Sequence, residues 1–197
     1  MAKPATPKRP VPKIDGPHDD AARLPPRVAA LREKILEACA ARDVEALKVP
    51  IQWAETPPIF LRGPGRPRTF AEIVDFLRAR SFDRNGVEMT TILRAVFESP
   101  FARKVEGPFE TYVWPAQALL WPDKPDANAR AKLFSYTRFA DLGSSDEAGR
   151  PLIHSAGVGA DGTWHWFTTQ AAAQDKPQQK PQEKSQEKSQ EKPPLRR

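Results

Sequence analysis

From residue 26 onward the apolar positions follow two periods. Val28, Leu31, Ile35, Leu36 and Cys39 recur at helical spacing and predict a helix over 26–41. Asp43 can cap a short second helix through Leu47. Thr69-Phe70-Ala71-Glu72 reads as a capping box opening a third helix, with Phe70, Ile73, Val74 and Leu77 inward. Met89, Ile92, Leu93, Val96 and Phe97 predict a fourth, stopped by Pro100. A fifth is expected over 127–139. The other period is two. Phe109–Trp114 alternates and is rich in β-formers, so it predicts a strand ended by Pro115. Two further strand-like runs, 152–158 and 163–169, close the folded part. The expected fold class is α+β, with four or five helices packed on a small antiparallel sheet that includes a C-terminal β-hairpin.

The periodicity fails at both ends. Residues 1–23 are rich in Pro and charge, contain two P-x-x-P matches, and are expected to form a disordered arm. Residues 173–197 run into a Gln-Glu-Lys-Ser repeat with no apolar face to bury, so a solvated tail is expected. The domain is therefore placed at 24–172. The net charge of +6 belongs mostly to the ends. Five basic residues face three acidic ones in 1–23, and seven face four in 174–197, so only one surplus positive charge is left for the middle. A near-neutral middle argues against a protein built mainly to hold a polyanion. No stretch approaches the roughly 20 apolar residues of a membrane span, and no apolar h-region follows the basic start. The expected compartment is the cytoplasm, or the periplasm or exterior if the true start lies upstream.

A single cysteine, Cys39, excludes an intrachain disulfide and sits on an apolar helical stripe, as a buried structural thiol would. The string Gly157-Val158-Gly159-Ala160-Asp161-Gly162 matches a dinucleotide-binding fingerprint. Such a turn needs a helix after it, whereas Thr163-Trp164-His165-Trp166-Phe167 follows. The favoured reading is a hairpin centred on Asp161-Gly162, which pairs Gly159 with Trp164, Val158 with His165, Gly157 with Trp166 and His154 with Thr169. Each glycine then makes room for an indole. In this register His154 and His165 lie about 13 Å apart, too far for one metal ion. No metal site and no cofactor are expected.

Two sets of side chains remain as candidates. Tyr112 and Trp114 on the strand, with His165 on the hairpin, could line an aromatic pocket for a small ligand or carry an enzyme's chemistry. Arg62, Arg66 and Arg68 lie in a Pro/Gly-rich loop, where Gly65-Arg66-Pro67-Arg68 resembles the Gly-Arg-Pro core of the AT-hook, and imply weak DNA contact. The structural alternative is a stiff connector. Asp83-Arg84-Asn85-Gly86 hints at a calcium loop, but Ile92 stands where the bidentate Glu is required. The remaining carboxylates are scattered, and no nucleophile–base signature is present. The run Glu110-Thr111-Tyr112-Val113-Trp114-Pro115 followed by Gly159-Ala160-Asp161-Gly162-Thr163-Trp164-His165-Trp166-Phe167 resembles a group of uncharacterised bacterial proteins. That resemblance implies a single compact domain, exported in some members, and brings no activity to carry over. The helix-first order also resembles the NTF2-like cone fold, kept as a minor alternative. The function expected is a non-enzymatic binding or interaction module for an unidentified protein or small ligand, with an enzyme or small-ligand binder near His165 and a DNA-associated protein as rivals.

Overall fold

The computed structural model describes residues 11–53, 55–122 and 124–172. Five strands form one antiparallel sheet in sequence order: β1 (Lys13–His18), β2 (Phe101–Glu106), β3 (Phe109–Trp114), β4 (Leu152–Gly159) and β5 (Trp164–Ala171). Five helices are described: α1 (Pro26–Ala40), α2 (Lys48–Ile51), α3 (Phe70–Arg80), α4 (Val87–Glu98) and α5 (Ala127–Leu133). The architecture is α+β with a C-terminal hairpin.

The three long helices form where the periodicity places them. Pro26 opens α1, where its missing N–H costs nothing. Thr69 accepts from the Glu72 N–H at 3.2 Å while Glu72 accepts from the Thr69 N–H at 3.0 Å, which completes the capping box of α3. Asp83 caps α4 by accepting from the N–H groups of Asn85, Val87 and Glu88 and from the Ser81 hydroxyl. Partial burial pulls its carboxyl upward. The hydrogen bonds from Ser81, Glu88, Asn85 and Val87 outweigh that and hold it well below the usual range. The stretch that hinted at a calcium loop is thus a helix start whose carboxylate is already saturated.

Helix α4 lies on the sheet. Its Phe97 meets Trp114 at a ring-centroid distance of 5.1 Å and Trp164 at 6.2 Å. Helix α1 packs on α4, and Val28, Leu31 and Ile35 are fully buried. Cys39 is buried too, and burial pushes its thiol up to about 12.

Four features differ from the expectation. First, residues assigned to the N-terminal arm build β1 and a single 3-10 turn at Ala21–Arg23. Proline is tolerated there because β1 is an edge strand. At Gly16 a Cβ would come within 3.1 Å of the Ala102 Cα, so the two backbones meet closely. A strand thus precedes the first helix, unlike the helix-first order read from the sequence. Second, β2 escaped notice because half of its six residues are charged. Its two-residue loop, Gly107-Pro108, carries Gly at positive φ, a turn that suits a tight hairpin. Third, α5 stops at Leu133 and continues as 3-10 turns, Phe134–Tyr136 and Phe139–Asp141. Thr137 donates to the Leu133 carbonyl and Arg138 clasps Asp141, so side chains take over bonds a longer helix would have used. The fourth is a bulge in β5, described below. The P-x-x-P matches and the repeat tail lie outside the described residues.

Candidate functional site

The hairpin turn is one residue longer than Asp161-Gly162 alone. Gly162 donates to the Gly159 carbonyl at 2.9 Å, and Gly159 donates to the Thr163 carbonyl at 2.9 Å. Gly162 sits at φ +85°. This is the three-residue loop whose last position is a left-handed glycine. Asp161 locks it by accepting from the Thr163 N–H and hydroxyl, both at 2.9 Å. The extra residue shifts the register. Gly157 still faces Trp166 and His154 still faces Thr169, but Val158 faces Trp164 and His165 stands in a bulge. A Cβ on Gly157 would lie 2.2 Å from the Trp166 indole, so that indole covers bare backbone as expected. A Cβ on Gly159 would lie 2.6 Å from His165 Nε2, so the second glycine makes room for the imidazole and not for Trp164. Trp164 turns into the core instead, edge-on to Phe60 at 5.6 Å.

The bulge displays His165 at the surface, its ring stacked on Trp166 at 6.3 Å and 17°. Beside it runs the proline-broken segment that leads into α3. Ile59 joins the outer edge of β5. Its N–H donates to the His165 carbonyl and its carbonyl accepts from the Phe167 N–H, both at 2.9 Å. Between this segment and β5 lies a groove of about 380 Å³. Arg62, Arg66 and Arg68 line one side of it, and His165 and Trp166 line the other. No Asp or Glu lines it. Among the described residues, Arg62 and Arg66 have no carboxylate partner, while Arg68 lies near Glu72. Two groups of candidates that the sequence kept separate therefore share one groove. Gly63 and Gly65 take positive φ and place a turn ahead of Arg66-Pro67-Arg68. Next to the groove, sharing Thr56 and Thr163, is a broad shelf under the half-exposed Trp53.

Tyr112 and Trp114 do not join His165. Trp114 is fully buried against Phe97 and Phe101, and its Nε1 has no hydrogen-bond partner among the described residues. Tyr112 lines a separate, polar cavity of about 260 Å³ with Asp15, His18, Arg23, Arg103 and Glu110. There Arg103 donates twice to Glu110, at 2.7 and 3.0 Å, and the Tyr112 hydroxyl donates to the same carboxylate at 2.6 Å. The Arg103 and Tyr112 bonds hold Glu110 down at about 2, and burial with the Glu110 bond pushes Tyr112 up to about 12. His18 has the look of a general base, with Asp15 at 3.2 Å from Nε2. Arg23 sits 2.6 Å from its other nitrogen and can only donate, so Nδ1 is an occupied acceptor. Both nitrogens are thus engaged within the 15–23 segment, and the His18 ring meets Phe101 of β2 at 5.3 Å.

A third cavity, about 200 Å³, was not visible in the sequence. Phe60, Phe76, Met89 and Phe167 give it apolar walls, and Arg62, Arg80 and Arg138 bring three cations from three separate segments. Their separation along the chain hid it, and Arg138 lay inside an expected helix. Arg138 is buried and paired with Asp141 at 2.7–2.8 Å, and donates to the Arg80 carbonyl at 3.0 Å. His154 forms part of the wall. Its Nδ1 lies 3.2 Å from the Tyr136 carbonyl and so carries the hydrogen, leaving Nε2 to accept from the Thr169 hydroxyl at 3.2 Å. Burial pulls this imidazole down to about 4. A hydroxyl on a neutral imidazole resembles a nucleophile–base pair. Here the base is weak at neutral pH, and a carbonyl replaces the carboxylate that would steady an imidazolium.

Among the described residues no three His, Cys, Asp or Glu side chains cluster as metal ligands. No family model matches the chain, and no curated protein and no solved structure matches it at a significant level.

Proposed function

We propose that this protein is a binding module that takes an acidic, extended segment of a partner protein in the groove between residues 56–68 and β5. What carries the reading is the convergence of Arg62, Arg66, Arg68 and His165 on one groove with no carboxylate in its walls. An acidic segment would supply the missing counter-charges, with guanidinium–carboxylate bonds that are strong and directional. Pro57, Pro58 and Pro67 stiffen one wall, so little ordering entropy is lost there on binding. The flat face of Trp166 gives a firm apolar contact beside the charges.

The test uses a fluorescein-labelled ten-residue glutamate peptide and a labelled A·T-rich duplex, each titrated into the full chain by anisotropy. The reading expects saturable peptide binding that weakens with salt. Arg66→Ala should weaken it about tenfold, the loss of one charge-assisted hydrogen bond. Tighter, salt-steep retention of the duplex with no peptide binding would overturn it and favour the DNA-associated reading instead.

A further inference from the structure

We propose that the cavity between α3, the 60–62 segment and β5 is a binding site for a small aromatic carboxylate. This cavity is separate from the groove, although Arg62 borders both.

Three observations support this class of ligand. The first is charge. Arg62, Arg80 and Arg138 line the cavity, and no Asp or Glu does. Asp141, behind the wall, neutralises Arg138 through two donor nitrogens. Among the described residues, Arg62 and Arg80 have no carboxylate partner. Two unmatched guanidiniums beside a low-polarity wall favour one anion strongly.

The second is shape and surface. Phe60 and Phe167 meet edge to face at 6.1 Å and 79°, and Phe76 and Met89 add further apolar wall. The Arg80 guanidinium lies 5.3 Å from the centre of the Phe76 ring, which keeps its planar fork at the edge of the apolar surface. A flat ring can lie among the phenyl groups while its carboxylate meets the fork. The volume of about 200 Å³ is below the range of roughly 300–1,000 Å³ usual for drug-sized ligands, so the guest is small.

The third is rigidity. Arg138 donates to the Arg80 carbonyl and so fixes the end of α3 from which Arg80 projects. The Tyr136 carbonyl and the Thr169 hydroxyl hold His154 in place. Arg138, His154 and Thr169 are thus set before any ligand arrives, and only the exposed Arg62 and Arg80 side chains need to order on binding. The His154 imidazole, neutral and already bonded on both sides, presents no competing charge.

Benzoate and phenylacetate are the probes, with benzamide as the neutral isostere and inorganic phosphate as the bare anion. Each is titrated into the full chain by 1H–15N NMR. The expected result is saturable binding of the carboxylates, with shifts at Thr168, Thr169 and Phe76. Benzamide and phosphate should bind about tenfold more weakly or worse. Arg80→Gln and Arg62→Gln should each lose about tenfold in benzoate affinity. Both side chains are exposed, so both variants should keep their fold, and an unchanged melting temperature checks this. Arg66→Ala should leave benzoate binding unchanged while weakening the acidic peptide, which separates this proposal from the groove reading. Absence of saturation, equal binding of benzamide or phosphate, or indifference to both Gln variants would overturn the proposal.

Discussion

Trp166 lies across Gly157, and its Nε1 donates to the Ser155 hydroxyl at 3.3 Å. A methyl on Gly157 would occupy the space of the indole ring, so Gly157→Ala must push the indole off the sheet or bend the strand. The expected cost is about 1–3 kcal/mol. The groove wall should move with it, so acidic-peptide affinity should fall along with the unfolding midpoint. Chemical denaturation and peptide anisotropy on the same variant check both. His154 gives a pH signature. Its folded value of about 4 lies below an unfolded value of about 6.5, so the unfolded chain binds more protons between them. Stability from this residue is complete above about pH 6.5 and falls as pH drops toward 4, by up to roughly 3 kcal/mol. Burial is the main cause. Arg138 adds to the downward push, and Asp141 and Glu88 oppose it. Denaturant melts at pH 7.5, 6 and 5 should show this slope in the wild type. His154→Gln should flatten it relative to the wild type, and identical slopes would contradict the assignment.

At the scale of elements, the helix starts are the most local features and the easiest to test. Removing the Thr69 cap by Thr69→Ala should cost about 1 kcal/mol, read as a shifted denaturation midpoint without a changed slope. These same features were legible in the sequence. A capping box, a proline stop and apolar residues at spacings of three and four depend only on neighbours, so α1, α3 and α4 could be read directly. The hairpin was legible in its existence and in the pairing of Gly157 with Trp166 and His154 with Thr169. Its bulge was not, because Asp161-Gly162 suits both a two-residue turn and a three-residue loop ending in a left-handed glycine. That one residue decides whether Trp164 or His165 faces solvent. Strand β1 could not be read because its signals, Gly16 and Pro17, ordinarily mark loops. They are tolerated here only at a sheet edge beside Ala102. Strand β2 is charged because Arg103 pairs across the sheet with Glu110, a partner seven residues away that periodicity does not reveal. The candidate site was legible as residue types and not as a place. Arg62, Arg66, Arg68 and His165 were each singled out, but their convergence depends on Ile59 docking against β5. Tyr112 and Trp114 were drawn to the same site by aromatic character alone, and the structure buries both.

At the scale of the molecule, a sequential meander packs against α4, and the connector between α2 and α3 returns to the last strand. That return creates both the groove and the smaller cavity, with Arg62 between them. The near-neutral charge of the middle of the chain hides a local surplus, since the acidic residues sit elsewhere. A binding surface can therefore be cationic while the domain as a whole is not. The most direct test of this account follows the indole N–H signals of the full chain by 1H–15N NMR as a ten-residue glutamate peptide is added. Trp166→Phe identifies the relevant signal. The account predicts that the Trp166 signal shifts with saturation, that the signal of buried Trp114 stays in place, and that Arg62→Ala with Arg66→Ala abolishes the effect. A Trp166 signal that stays fixed while the peptide binds, or a peptide that does not bind, would contradict it.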